Sequence, residues 1–415
     1  MLERMLAGFI REGRLTVLTA GGRKLSFGTP QAGVPDIVMR FRSRAALLKV
    51  ALDPDLRFGE AYMDGTLVLE QGTLAELFEL CGRNLRHRRP ARRGRLGRIR
   101  RAIARQVQQH NPLVRARRNV AHHYDLSETL FRLFLDSDLN YSCAYFARPD
   151  MSLEAAQHAK QRHIAAKLLL APGQKVLDIG SGWGGLALTL ARLAEVTVHG
   201  ITLSREQHAR ATTRAAALGL ASRVRFSLAD YREVADRYDR IVSVGMFEHV
   251  GSPYYRTFFA AVARLLAPDG VALIHSIGRM DGSGLTNSWT RRYIFPGGYI
   301  PALSEVLPAV EQAGLWVTDI EILRLHYAET LRHWRERFLA QKALLRDIYD
   351  ERFCRMWEFY LAGSEMSFRH DGLMVFQLQL ARRVDAVPLT RDYMYAAERA
   401  LSLAEGSAGQ EMRPS

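Results

Sequence analysis

Three cysteines in 415 residues are too few for a disulfide framework, and a reducing compartment is the simpler setting. Placed at 81, 143 and 354, they show no paired spacing for a metal, so no metal site is expected. No apolar run approaches the ~20 residues needed to cross a bilayer. The opening MLERMLAGFI is too short and too mixed for a secretory leader, and no small-residue cleavage site follows it. With 48% hydrophobic residues against 32 glycines and 14 prolines, collagen-like and wholly disordered chains are excluded too. What remains is a cytoplasmic protein with room for one large core and a smaller domain.

Acidic residues are scarce in one region only. The first 120 residues hold 24 Arg or Lys and 10 Asp or Glu, so they carry nearly all of the formal charge of +15. Between Arg83 and Arg118 there are 14 arginines and no acid. Residues 83–100 read as a basic linker and 101–109 as a short basic helix. A solvated linker needs no partner. Nucleic acid is disfavoured, because no zinc-finger spacing, aromatic strand or recognition helix accompanies the arginines. An anionic membrane surface is favoured, each basic residue near it contributing on the order of 1 kcal/mol.

Ahead of this stretch, residues 1–82 read as a small mixed α/β domain. LTVL, KLSF and IVMRF alternate as strands, ALLKVAL suits a helix, and TLAELFEL is a helix started by Thr73 and Glu76. The two glycines of DLRFGEAYMDGTLVLE interrupt the pattern. Residues 406–415 read as a fraying, disordered tail.

From Gly173 onward strand and helix alternate. KVLDI, VTVHGI, RVRFSLAD, DRIVSVG and GVALIHSIG are strands with helices between them, which predicts a parallel sheet covered on both faces. The first strand runs into GSGWGG. Gly180, Gly182 and Gly184 allow a sharp turn and close approach to a ligand. The acid, Asp178, precedes them on the strand, where it would repel a pyrophosphate but suit the ammonium of an amino-acid moiety. Asp230 and Tyr231 close the third strand, placed to meet an adenine; Asp230 serves equally well as a cap for REVAD. S-adenosylmethionine fits these positions.

Glu248 follows the fourth strand and His275 lies on the fifth, so both converge on the sheet's carboxyl end. Cys143 sits in NYSCAYF ahead of the sheet. Each has an ordinary alternative: a core cysteine, a helix-start carboxylate, a core histidine.

The strings AHHYDLS (121–127), NYSCAYF (140–146), VLDIGSGWGG (176–185), GITLSREQ (200–207), MFEHVG (246–251), IHSIG (274–278), RYIFPGG (292–298) and HYAETL (326–331) occur in order. With them the chain resembles the cyclopropane-fatty-acyl-phospholipid synthases and the mycolic acid cyclopropane synthases. The resemblance implies an α/β class I S-adenosylmethionine-dependent methyltransferase domain at 119–405, with a Rossmann-like seven-stranded sheet beside the small N-terminal α/β domain. The last two strands, near 316–323 and within LMVFQLQLA, would pair antiparallel around a helical lipid-binding insertion at 327–366. The substrate implied is the unsaturated acyl chain of a membrane phospholipid, and the product a cyclopropane chain. Methyl or methylene branching without ring closure is the alternative. A homodimer attached to the inner face of the cell membrane is implied, with no nucleic acid.

Carried over by residue, the resemblance places a bicarbonate ion, the general base, on Cys143, Glu248, His275, Tyr327 and the backbone of Ile277. It places the cofactor on Tyr141, Ser142, the turn Asp178–Gly184, Thr202, Leu203, Gln207, Asp230 and Tyr231.

Overall fold

The structure, a computed structural model, describes residues 2–85 and 128–411. Most of the arginine run, with the short helix expected at 101–109, therefore lies outside the described residues. Its first residues do not begin a linker. The helix Leu74–Leu85 continues through them, and Arg83 Nε donates to Glu79 Oε1 at 2.8 Å, one turn away.

Two compact units are formed. The first combines the N-terminal residues to Leu85 with 285–296 and 327–373. Its sheet contains β1 (Arg14–Leu18), β2 (Lys24–Gly28), β3 (Asp36–Phe41) and β4 (Leu67–Gln71), in the order β2-β1-β3-β4. The start of the Leu74–Leu85 helix is a reciprocal cap. Glu76 N donates to Thr73 Oγ1 at 3.2 Å, and Thr73 N donates to Glu76 Oε2 at 2.7 Å. Gly59 does not interrupt its segment; it lies inside the helix Pro54–Met63. A Cβ there would stand 2.5 Å from the Trp289 ring, so the missing side chain makes room for packing.

The helical insertion differs from expectation. Its helices, His326–Ala340, Lys342–Ile348 and Glu351–His370, belong almost wholly to this first unit rather than to the methyltransferase domain. Phe359 meets Phe78 edge-on, with centroids 5.1 Å apart, and joins the core of the N-terminal strands.

The second unit is built on seven strands: β5 (Lys175–Ile179), β6 (Thr197–Thr202), β7 (Val224–Leu228), β8 (Tyr238–Val244), β9 (Leu266–Arg279), β10 (Trp316–Leu323) and β11 (Leu373–Ala381). Their order is β10-β11-β9-β8-β5-β6-β7. β5 through β9 pair in parallel, and β10 pairs antiparallel with β11. Side chains alternate across a strand, and the two faces own separate cores. Val176, Val242 and Leu273 pack with the Gly185–Ala194 helix, while their neighbours Leu177, Ile241 and Ala272 pack with Phe258, Phe259 and Val306. This is the class I methyltransferase arrangement. The expected free tail is shorter than thought, because the last helix runs Asp392–Glu411 and takes in 406–411. Among the described residues, no helix is long and apolar enough to cross a membrane.

Candidate active site

A cavity lies at the carboxyl ends of β5 to β8, where parallel sheets bind ligands. It is lined by Tyr141, Ser142, Asp178, Gly180, Gly182, Thr202, Leu203, Gln207, Asp230 and Tyr231. Gly184 was also expected here but does not line it; its role is in packing. A Cβ on Gly184 would stand 2.9 Å from Ala211 Cβ and from the Phe226 ring, and one on Gly180 would stand 2.8 Å from Met246 Cβ. Gly182 alone of the three would meet nothing within 4 Å, so a Cβ there carries only the cost of its left-handed φ of +53°, about 1–2 kcal/mol. Gly182→Ala should therefore keep the fold and weaken cofactor binding, while Gly184→Ala should lower stability by about 1–3 kcal/mol. Calorimetric titration and urea unfolding of both variants check this.

The helix Leu153–Lys167 holds the Tyr141–Ser142 segment in place. Gln157 Nε2 donates to the Ser142 carbonyl at 3.0 Å, and Lys160 Nζ donates to Ser142 Oγ at 2.8 Å and Asn140 Oδ1 at 3.2 Å. Lys160 lines the cavity and was not foreseen. Burial lowers its pKa to about 8, with Asp136 the main opposing charge. Burial pushes Asp178 up to about 7 against the pull of Lys160, and Asp178 Oδ2 has no hydrogen-bond partner among the described residues. At β6, Thr202 Oγ1 donates to Gln207 Oε1 at 2.9 Å, and Ser204 caps the next helix by accepting from Gln207 N.

Asp230 does not cap a helix, since only a turn follows it. Its carboxylate takes the Arg232 backbone N–H at 3.0 Å and the Arg232 guanidinium at 2.7 and 2.8 Å. Arg232 also stands over the Tyr231 ring, 5.3 Å from its centroid. His249, which follows the fourth strand with Glu248, lines the cavity beside Met246, and burial lowers its pKa to about 4.

None of the five residues expected to hold the ion lines this cavity. Glu248, in the 3-10 turn Phe247–His249, accepts the Ile277 N–H through Oε1 at 2.6 Å. The Ile277 amide thus already has a carboxylate partner rather than facing an ion alone. Glu248 Oε2 is buried without a partner among the described residues, and burial pushes the pKa up to about 7. His275 precedes Ile277 by two on β9; burial, then the charges of Lys160 and Lys167, lower its pKa to about 3. Cys143 is fully buried, its Sγ 3.3 Å from the Ala144 carbonyl. Tyr327 belongs to the first unit, where its ring packs against Trp334 and Phe368.

The family model described as mycolic acid cyclopropane synthetase matches residues 112–378, more than half of the chain. The chain belongs to that family. Within it, a Pseudomonas putida protein named probable fatty acid methyltransferase is 41% identical over 289 residues, 66% of this chain and 73% of its own. The cyclopropane-fatty-acyl-phospholipid synthase of Escherichia coli K12 is 43% identical over 263 residues, 63% of this chain and 67% of its own. The solved mycolic acid cyclopropane synthase CmaA1, complexed with SAH and CTAB, matches with a TM-score of 0.61 and 36% identity, over 64% of this chain and 97% of that one.

Proposed function

We propose that the chain transfers a methylene group from S-adenosylmethionine to the cis double bond of an unsaturated phospholipid acyl chain. The products are a cyclopropane acyl chain and S-adenosylhomocysteine. Family membership supports the coarser activity, S-adenosylmethionine-dependent modification of fatty acyl chains. The finer reading is supported by one observation: Glu248 is a buried carboxylate with one oxygen held by the Ile277 N–H and the other without a hydrogen-bond partner among the described residues.

The cavity residues fit the cofactor. Asp178 Oδ2 offers an acceptor to its ammonium, and Gly182 leaves room for close approach. When bound, S-adenosylmethionine supplies an electrophilic sulfonium methyl group. Attack by the alkene on that methyl would form one carbon–carbon bond as the sulfur–methyl bond breaks with its electron pair going to sulfur, and would leave positive charge on the acyl chain. Loss of one proton from the added methyl, with closure onto that charge, completes the ring. The residues also suit a small anion that carries one proton, since a carboxylate and an anion can share a site when a proton lies between them. Bicarbonate held by Glu248, His275 and Cys143 would supply the base. Glu248 would orient it by accepting its O–H.

Lipids from cells expressing the chain should gain one CH2 per modified acyl chain and lose the alkene. Unchanged acyl chains would reject the reading. A branched methyl or methylene product would replace ring closure with branching.

The arginines of 83–118 are proposed to hold the chain on anionic membrane, and the N-terminal residues to support a homodimer. Co-sedimentation with anionic vesicles should fall at high salt and be absent with neutral ones. Equal binding to both at low salt would count against the electrostatic role.

A further inference from the structure

A chain of buried side chains runs from a lysine to His275 through one amide. Lys167 ends the Leu153–Lys167 helix, Gln377 lies on β11, and His275 lies on the neighbouring strand β9. Lys167 Nζ donates to Gln377 Oε1 at 2.8 Å and also bonds Glu321 Oε2. Gln377 Nε2 stands 3.1 Å from His275 Nδ1. All three side chains are essentially sealed from solvent.

The donor and acceptor inventory leaves one consistent assignment. An ammonium has three donors and no acceptor, so the amide must turn its oxygen to Lys167. Burial lowers the Lys167 pKa, and Glu321, which Lys167 shares with His163, opposes that shift and favours the ammonium. The NH2 of Gln377 then faces His275, and an NH2 cannot accept. Nδ1 must therefore be the bare, accepting nitrogen, and a neutral imidazole carries its single proton on Nε2. The doubly protonated ring is excluded, because Nδ1–H would point at the amide N–H.

We infer that Lys167 and Gln377 are positioning residues that lock His275 in the Nε2–H tautomer, making it a hydrogen-bond donor and not the base. The low pKa of His275, about 3, agrees with a neutral ring. The identity of the group that accepts from Nε2–H rests on the proposed function; the tautomer itself does not. The base then has to be something other than His275, such as a bound anion.

The test uses the full chain labelled with 15N-histidine and two-bond proton–nitrogen correlation, which reads the protonated nitrogen of each of the 13 histidines. The His275 signals are those lost in His275→Gln. The expected pattern is Nε2–H. Gln377→Glu keeps the shape and the bond from Lys167 but offers His275 an acceptor. It should switch the ring to Nδ1–H and lower kcat about tenfold or more, with KM for S-adenosylmethionine within about twofold. An Nδ1–H pattern in the unaltered chain would overturn the inference, as would a folded Gln377→Glu that keeps Nε2–H or keeps full kcat. If that variant does not fold, the unaltered chain's spectrum decides alone. Failure to modify acyl chains, with Nε2–H observed, would reject the proposed function and leave the lock standing.

Discussion

Glu248→Gln should lower turnover about a hundred- to a thousandfold while cofactor affinity stays nearly unchanged. The substitution is isosteric, so Oε1 can still take the Ile277 N–H now bonded at 2.6 Å. What changes is the second position, where an acceptor becomes an NH2 donor. A protonated anion that donated to Oε2 would then meet another donor, and it would lose both its orientation and its place. Because Glu248 is not among the cavity-lining residues, the cofactor keeps its own contacts. Single-turnover methyl transfer with calorimetry on the same sample separates the effects. Equal loss of binding would mean that the carboxylate acts in the cofactor site instead.

Asp178→Asn should weaken S-adenosylmethionine binding about 10- to 100-fold, the worth of one buried charged hydrogen bond. Burial holds the Asp178 carboxyl near pKa 7, above its usual range. Binding a cation favours the ionised form, so below about pH 7 binding should release close to one proton and tighten as pH rises. Titrations in buffers of different ionisation enthalpy measure that proton, which should vanish near pH 9 and in Asp178→Asn. The effect on folding has the opposite direction. Asp178 and Glu248 both have raised pKa values, so their contribution to the free chain's stability is complete below the ordinary carboxylate range and is lost as pH rises through about 7.

The strand–helix alternation from Gly173 was legible because period-2 and period-3.6 patterns sit at full contrast in a sheet covered on both faces. The turn after β5 was equally plain. The insertion was not, since an amphipathic helix declares an apolar face but not which core receives it; Phe359 packs with Phe78. Lys160 was missed because Gln157, Lys160, Gln161 and Lys167 form a polar stripe that reads as a solvated face, whereas all four are buried. Gln377 and Gln379 on β11 look like the wet side of a strand for the same reason, yet both are buried. Polar residues inside a second unit built of hydrogen-bonded networks leave no hydropathy signal. Asp230 was half legible: its place after β7 was clear, but the adjacent Arg232 that claims its carboxylate was not weighed.

Ring formation on an acyl chain is decided by transfer of a labelled methyl group. Purified chain is given S-adenosylmethionine carrying a trideuterated methyl group and vesicles of a phospholipid with one cis double bond, and the product is read by mass and proton NMR. The expected result is that the alkene disappears and that a cyclopropane methylene holding two deuterium atoms replaces it, the third having been lost as a deuteron. A methyl branch that keeps all three deuterons, or an acyl chain without label, would contradict it.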